Sequence, residues 1–543
     1  MTDATSSPTP TANPTRFWTT WRVVGLVLLL AAIAASWAHH VGGRLPSLSY
    51  IYRVGELFAK DGDDNVQRAR LVYGSLLCLV FGVLGLVLLV RGGSPQWTPQ
   101  TLDRARRFRS LRRGWWSLLI LLLLVLLALL DFTIVGKRAL AVRHDGQWFF
   151  PAFHEAIHPG TTFGQQAEAE ADYRRLQQDA RRADNGNLVI MPLVPWDPVL
   201  DTDSSQTAPL EQRDDGLWYR EGRARAHSGL AQGFHDEEQT VQRVEYRLRR
   251  GLPDGFATGF NEQGEPLFEA TFRRGERVDL RWSGDAEPDP GLADEILAGP
   301  LVVTLYAPLP PLLESRHFLG TDSRGWDLLA QIYGGWQVNL QAAVLFLIVT
   351  YGVGVMVGCL MGYFGGLFDL TVQRVIEVLG NIPFLYVVII ITAVIGRENM
   401  DLMRLVGVIC IFSWLGLTYY MRTATYREKA RLYIDSARVA GASTPRIIGR
   451  HILPNVLAII VTFVPFSVAS IINSLTALSF IGFGLPDRYP AWGTVISDGI
   501  DHLSSPWIVS SVFVSMVVIL LLITFVGEAV REAFDPKRFS TYR

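Results

Sequence analysis

Tyr433-Ile-Asp-Ser-Ala-Arg-Val-Ala-Gly441-Ala-Ser-Thr-Pro-Arg-Ile-Ile-Gly-Arg-His-Ile-Leu-Pro454-Asn455 separates two apolar runs, Met403–Met421 and Leu457–Leu478, each long enough to cross a bilayer core. Small side chains at Ser436, Ala437, Ala440 and Ala442 lie among basic residues, so one face can be approached closely. Gly441 permits a left-handed backbone and predicts the end of a first short helix. Ser443 suits the cap of a second, with Pro445 at an early helical position. Ile447, Ile448 and Ile452 then make an apolar stripe, and Pro454 predicts a break before the membrane run resumes. The expected product is two short helices joined at a glycine, projecting from the membrane on a basic side and fitting a partner's groove. A plain re-entrant loop whose charges only set topology is the simpler alternative.

Outward from this stretch, further apolar runs follow in both directions. They are Val23–Ala38, Leu71–Val90, Trp115–Val135, Ala342–Gly362, Val372–Ile395 and Trp507–Val526, making eight candidate spans in all. In the first run, Ala35-Ser36-Trp37-Ala38 resembles a signal-peptidase site, so a cleaved leader competes with a retained helix; Trp and His at the cut favour retention. Arg104, Arg106, Arg107, Arg109, Arg112 and Arg113 make the loop 91–114 basic, and 422–455 is basic too. With eight spans, both fall on the same side as the tail residues Arg531, Lys537, Arg538 and Arg543, and Lys and Arg mark that side as cytoplasmic. Both termini are then inside and residues 136–335 outside. A miscount by one span would break this agreement.

Composition agrees: 49% hydrophobic is too apolar for a soluble chain of this length, and 19% charged is too polar for spans alone. A net charge of −1 points to no nucleic-acid partner. Cys78, Cys359 and Cys410 sit inside apolar runs without a CxxC pair or a His cluster, so they read as buried thiols, and no metal site is expected. No catalytic set and no phosphate-binding GxxxxGK[ST] loop is present, so any ATP hydrolysis belongs to another subunit. Within the spans, Pro383 splits the fifth, and Glu377 lies one to two turns before it, either on a translocation path or paired with Arg374. Ser467, Ser470, Asn473 and Ser474 follow helical spacing and either line such a path or pack a helix interface.

Residues 136–335 hold no span. A charged, helix-like stretch covers Ala167–Ala183, and residues 214–284 alternate aromatics with Gly-rich turns. Leu248-Arg-Arg-Gly251 returns as Phe272-Arg-Arg-Gly275, and Asn261-Glu-Gln-Gly264 reads as a hairpin tip. The pattern resembles MORN-type hairpin repeats over about 205–288; an ordinary β insertion without a ligand is the alternative.

Asp435-Ser436-Ala437, Gly441 and Ile452-Leu453-Pro454 resemble the coupling motif of ABC importer permeases, E-A-A, three residues, G, nine residues, I-x-L-P. Asp stands for Glu, Ser for the first Ala, and His451 occupies the Ile slot with Ile452 beside it. The ending Arg450-His-Ile-Leu-Pro-Asn455 is similar to the dipeptide and oligopeptide branch. His317-Phe-Leu-Gly320-Thr321-Asp322-Ser-Arg-Gly325-Trp-Asp327 resembles the periplasmic motif of the C-type subunit of that branch, with Trp326 and Trp336 in place of Arg. Both Trp rings are expected at the outer membrane interface. Gly362–Gly366, Leu478–Pro486 and Gly527–Pro536 also match, and Val142–Pro151 with Thr161–Gly164 and Glu170–Tyr173 is similar to the microcin-C-type peptide importer permease.

The resemblance implies an all-α polytopic membrane protein with a six-helix type I permease core, an extra N-terminal helical hairpin and a mixed or β periplasmic insertion. It divides the chain into a hairpin at 1–95, a basic loop and first core span at 96–136, a periplasmic region at 137–335 and a core domain at 336–543 with coupling helices at 431–455. It further implies a second, homologous permease subunit as heterodimer partner, ABC ATPase subunits that hold ATP and Mg, a periplasmic peptide-binding protein, a peptide substrate and an inner-membrane location. No cofactor is expected on this chain itself. A membrane-anchored envelope sensor or scaffold, using the β insertion to bind a ligand or partner, is the alternative from another class.

Overall fold

The computed structural model describes residues 20–40, 44, 63–91 and 99–534, apart from 155, 166–168, 184–185, 200, 202–205, 214, 221–224, 236–240, 284–289, 306 and 314. Expectations that fall on Lys537, Arg538, Arg543, the start of the chain and most of 41–62 lie outside the described residues. The helices are α1 (Thr20–His40), α2 (Asp63–Arg91), α3 (Pro99–Ser110), α4 (Arg112–Leu129), α5 (Tyr173–Ala183), α6 (Pro290–Ala298) and α7 (Leu328–Phe364). They continue with α8 (Gly366–Gly380), α9 (Phe384–Ile395), α10 (Leu402–Lys429), α11 (Leu432–Val439), α12 (Leu453–Phe480), α13 (Trp492–Asp501) and α14 (Trp507–Phe534). The chain divides into two compact units, one made of residues 201–313 and 318–326 and the other of the remainder.

In the larger unit, α4, α7, α10, α14 and the Ile459–Phe480 part of α12 are long and apolar enough to cross a membrane. α8 and α9 together add a broken span, bent by 72° at the break before Pro383. The two N-terminal runs are shorter apolar helices, Val24–Ala38 within α1 and Ser75–Val90 within α2. Those two pack so closely that a Cβ on Gly25 would lie 2.6 Å from the Gly85 carbonyl oxygen, and one on Gly85 would lie 2.8 Å from that of Gly25. The basic loop expected at 91–114 is in part a helix, α3, which leads into α4.

The centre of the core is the pair α7 and α10. Gly354, Gly358 and Gly362 recur every fourth residue along α7, and a Cβ on Gly358 would meet Met421 Cβ at 2.6 Å. Without a hydrophobic drive inside lipid, such small residues allow the close backbone contact that holds helices together. Ala343, Phe346, Leu405, Ile409, Ile471 and Leu475 fill the layer that joins this pair to α12. The larger unit also carries a three-stranded sheet of β1 (Ala141–His144), β2 (Gln147–Phe149) and β3 (Leu188–Ile190), in the order β2-β1-β3. Val142, Phe163, Tyr173, Leu176 and Val189 form its core under α5. Burial pushes the Tyr173 phenol up to about 12.

The smaller unit is an antiparallel sheet of β4 (Gln206–Gln212), β5 (Trp218–Arg220), β6 (Gly229–Phe234), β7 (Gln242–Arg249), β8 (Leu252–Phe260), β9 (Pro266–Arg273), β10 (Glu276–Trp282) and β11 (Leu301–Leu305). Its order is β10-β9-β8-β7-β6-β11-β4-β5, so β6 to β10 form a meander. The repeated Arg-Gly pairs are its tips: Arg250 and Gly251 have φ of 52° and 82°, and Arg274 and Gly275 have 52° and 92°. Two successive positive φ values match the right-handed twist of a tight hairpin. The Asn261 side chain accepts hydrogen bonds from the backbone N–H groups of Gln263 and Glu265, which forms the intervening tip. β11 lies beyond the strand region expected from the sequence, yet it sits inside the sheet between β6 and β4. α6 covers one face, with Ala293 and Ile296 packed among Leu248, Phe268 and Leu301.

Candidate functional site

α10 ends at Lys429, and α11 begins three residues later, after Ala430 and an extended Arg431. The end of α11 is closed by two backbone bonds: Ala442 N–H donates to the Ala437 carbonyl at 3.0 Å, and Gly441 N–H to that of Arg438 at 2.9 Å. This is a Schellman cap, which needs a left-handed residue; Gly441 supplies φ of 76°. A Cβ there would touch nothing, so the glycine is demanded by its backbone and not by crowding. Ser443 stands at the N-cap of the next turn without a side-chain capping bond.

The break expected at Pro454 is not there. Thr444–Arg446 runs into a π-helical stretch at Ile447–Ile452, which runs into α12 with Pro454 in its first turn. A proline cannot donate to the preceding turn and clashes with it, and a widened π turn relieves both problems without ending the helix.

Burial separates the two faces of this segment. Ile434, Ile447 and Ile452 are fully buried with Leu417, Met421, Ala424 and Val456. The isoleucine stripe is therefore an anchor to the core. Ile452 holds the segment in place and presents no surface, while Leu453 is half-buried. Asp435, Ser436 and Gly441 are exposed, Pro454 is exposed beyond them, and Ala437 is half-buried. Two apolar side chains missed in the sequence complete the outward face: Leu432 is 85% exposed and Val439 90%. Their spacing, i and i+7 with Asp435 and Ser436 between, puts all four on one side of α11. That spacing was readable, but nothing in the sequence says that the intervening Ile434 points inward. A short network fixes the base: Tyr433 O–H donates to Glu428 Oε2 at 2.5 Å, and Asn455 Nδ2 donates to the Tyr433 hydroxyl oxygen at 2.8 Å. The neighbouring Glu428 carboxylate helps burial raise the Tyr433 phenol above its usual range.

The residues proposed from the sequence for a path do not share one face. Ser470 and Asn473 are exposed on α12 in line with Phe466 and Phe480, whereas Ser474 is half-buried. Ser467 turns to α7, 2.9 Å from the Tyr351 hydroxyl. Glu377 accepts from Arg374 at 2.6 Å and Gln373 at 2.9 Å, the local pairing open to it from the sequence. Pro383 caps α9 at the 72° break.

The 317–327 motif is a structural knot. In the smaller unit, Gly320 and Gly325 have φ of 85° and 83°. Thr321 Oγ1 accepts from Leu309 N–H at 2.7 Å, and buried Asp322 accepts the backbone N–H groups of Arg324 and Trp326 at 2.9 Å each. In the larger unit, Asp327 caps α7 by accepting from Ala330 N–H at 2.7 Å, and its other oxygen lies 2.8 Å from His317 Nδ1. The His317 ring stacks on Trp196, 4.1 Å between centroids. Trp326 and Trp336 are each only 7% exposed, so neither ring is an interface anchor. Trp336 stacks on Trp492, and its Nε1–H donates to the Leu124 carbonyl, which satisfies the polar handle inside the core. Among the described residues no group of three or more His, Cys, Asp or Glu could hold a metal ion.

Helices of spanning length, a broken span, and a capped helical segment held below them are the parts of a membrane permease. A family model described as the binding-protein-dependent transport system inner membrane component matches residues 354–540. The chain is 29% identical over 441 residues to the inner membrane ABC transporter permease protein YejE of Escherichia coli K12, covering 81% of this chain and 98% of YejE. It is 36% identical over 228 residues to the oligopeptide transport system permease protein OppC of the same strain, covering 42% of this chain and 74% of OppC. A solved inward-facing structure of the MetNI methionine ABC transporter aligns with 38% of this chain and 97% of its own at 18% identity and a TM-score of 0.32, too low to argue from. The chain belongs to the inner-membrane permease components of binding-protein-dependent ABC transport systems.

Proposed function

We propose that this permease carries peptides or peptide-like compounds inward across the bacterial inner membrane, driven by ATPase subunits that dock on the segment 432–454. The exposed face Leu432, Asp435, Ser436 and Val439 carries this reading: a pair of apolar side chains flanking a carboxylate, held rigidly from behind, is a plug for a partner's groove. ATP and Mg sit on the ATPase, and this chain binds no cofactor of its own. The basic stretches 91–114 and 422–455 face the cytoplasm with both termini, and residues 137–335 face the periplasm. A second permease subunit completes the channel, and a periplasmic peptide-binding protein delivers the cargo. OppC is named for oligopeptides, which supports the cargo class. The path runs along Ser470 and Asn473, with the break at Pro383 as its flexible point and Glu377, Ser467 and Ser474 holding the helices around it. Residues 1–95 add a hairpin to the six-helix core at 96–136 and 336–543, and the MORN-like sheet near 205–288 serves recognition outside the membrane.

Leu432→Glu combined with Val439→Glu tests the docking. Membrane insertion should be unchanged, while affinity for the ATPase falls about 30-fold, the scale of a lost interface anchor of about 2 kcal/mol. Undiminished co-purification of the ATPase would sink the reading.

A further inference from the structure

We infer that Asp369, Arg422 and Tyr426 form a clamp that makes the broken helix α8–α9 follow α10 when the ATPase pulls on α11. The inference rests on the docking reading above. Arg422 grips Asp369 with two parallel bonds, Nε to Oδ1 at 2.5 Å and Nη2 to Oδ2 at 2.6 Å. Tyr426 O–H donates to Oδ2 at 2.7 Å, and the Arg422 guanidinium lies 5.4 Å from the centre of the Tyr426 ring. Asp369 is only 3% exposed, so its charge depends on these partners.

The position of the clamp gives it its role. Asp369 lies in the first turn of α8, just past the corner at Gly365 and Gly366, whose φ values of 66° and 57° give that corner no side-chain support of its own. Arg422 and Tyr426 lie near the end of α10, which leads through Ala430 and Arg431 into α11. α7 is already locked to α10: a Cβ on Gly362 would meet Thr425 Cβ at 2.6 Å and the Arg422 carbonyl oxygen at 2.7 Å. α8 has no such glycine contact with α10. The forked ion pair is its polar tie, beside an apolar contact of buried Ile376 with Leu415, and beyond it lies the 72° break. Force entering at α11 therefore reaches α7 through packing, and α8–α9 through the clamp together with the apolar contacts of Ile376 and Val388. A bidentate pair keeps both direction and distance, which a single hydrogen bond would not.

The test uses the full transport complex, with its ATPase, in lipid nanodiscs. Spin labels at Val378 on α8 and Tyr419 on α10, both exposed, report the distance between the helices in ADP, ATP and ATP–vanadate. With the clamp intact, one distance should persist through all three. Asp369→Asn should add a second, longer population with ATP while hydrolysis continues, and Arg422→Lys should do so to a smaller extent. Because a lone buried charge can spoil folding, the pair D369L and R422M removes both charges together; it should assemble and still show the second population. A single unchanged distance in that double variant overturns the clamp, as does a nucleotide-dependent distance with the clamp intact. Failure of every variant to assemble also overturns it, since the pair would then serve folding alone. Failure of the docking reading is distinguishable, because it appears as retained ATPase in the Leu432 and Val439 variant whatever the labels report.

Discussion

Gly441 shows how much one residue can settle. Its φ of 76° lets the Ala442 and Gly441 amides close α11, and open space surrounds the missing Cβ. Gly441→Ala therefore introduces no clash but adds about 1 kcal/mol of left-handed strain. The Ala442 amide, which depends on that cap, should exchange with solvent roughly fivefold faster, as read by hydrogen–deuterium exchange. An unchanged rate would mean that the packing of Ile434 and Ile447 sets the conformation by itself. The glycine was legible in the sequence because αL caps leave that signature. The Asp369–Arg422 fork was not, since its partners lie 53 positions apart and neither has a local pattern. Arg422 reads in sequence only as one more positive charge on a basic segment.

At the scale of elements, α6 and β7 depend on one buried cation. Arg243 donates to the Ile296 carbonyl at 2.9 Å and the Pro300 carbonyl at 3.0 Å, with a longer bond to Glu295, and so closes the C-terminal end of α6. Its guanidinium fits only because Gly299 and Gly233 have no side chains; a Cβ on Gly299 would lie 2.0 Å from Nη1. Burial pushes the guanidinium below its usual value, yet the carbonyls and the helix dipole favour the charge. Arg243→Met should destabilise this unit by about 3 kcal/mol, because buried carbonyls lose charged donors. Faster hydrogen exchange across β6–β8 with α7 and α10 unchanged is the expected outcome, and uniform protection would refute it. In this sheet the Asn261-Glu-Gln-Gly264 tip was readable as a turn, and the Arg-Arg-Gly tips only as an internal echo. The central place of β11 was not, because strand order is set by long-range pairing and not by any local motif.

Across the whole molecule, sheet order decides where the chain tolerates cutting. Residues 205–288 look like a self-contained insertion in sequence, but β11 and α6 belong to the same core through Ala293, Ile296, Leu301 and Val303. Removing 205–288 strands those side chains, whereas removing 202–305 takes the sheet and its helix together. The shorter deletion should be degraded or aggregate, while the longer one yields inserted protein, as measured by membrane yield and detergent-stable monodispersity. Equal behaviour would show that the unit is not cooperative. By itself the sequence determined the six runs that reach spanning length, the glycine cap, the Asn261–Gly264 tip and the family motifs, because each depends on residues within a few turns of one another. Tertiary structure alone decided that Ile452 anchors while Leu432 and Val439 face out, that Pro454 sits past a π turn and breaks nothing, that Trp326 and Trp336 are buried, and that Asp369 meets Arg422. Those outcomes turn on which face each helix buries and on contacts between distant segments, which the chain acquires only when it packs.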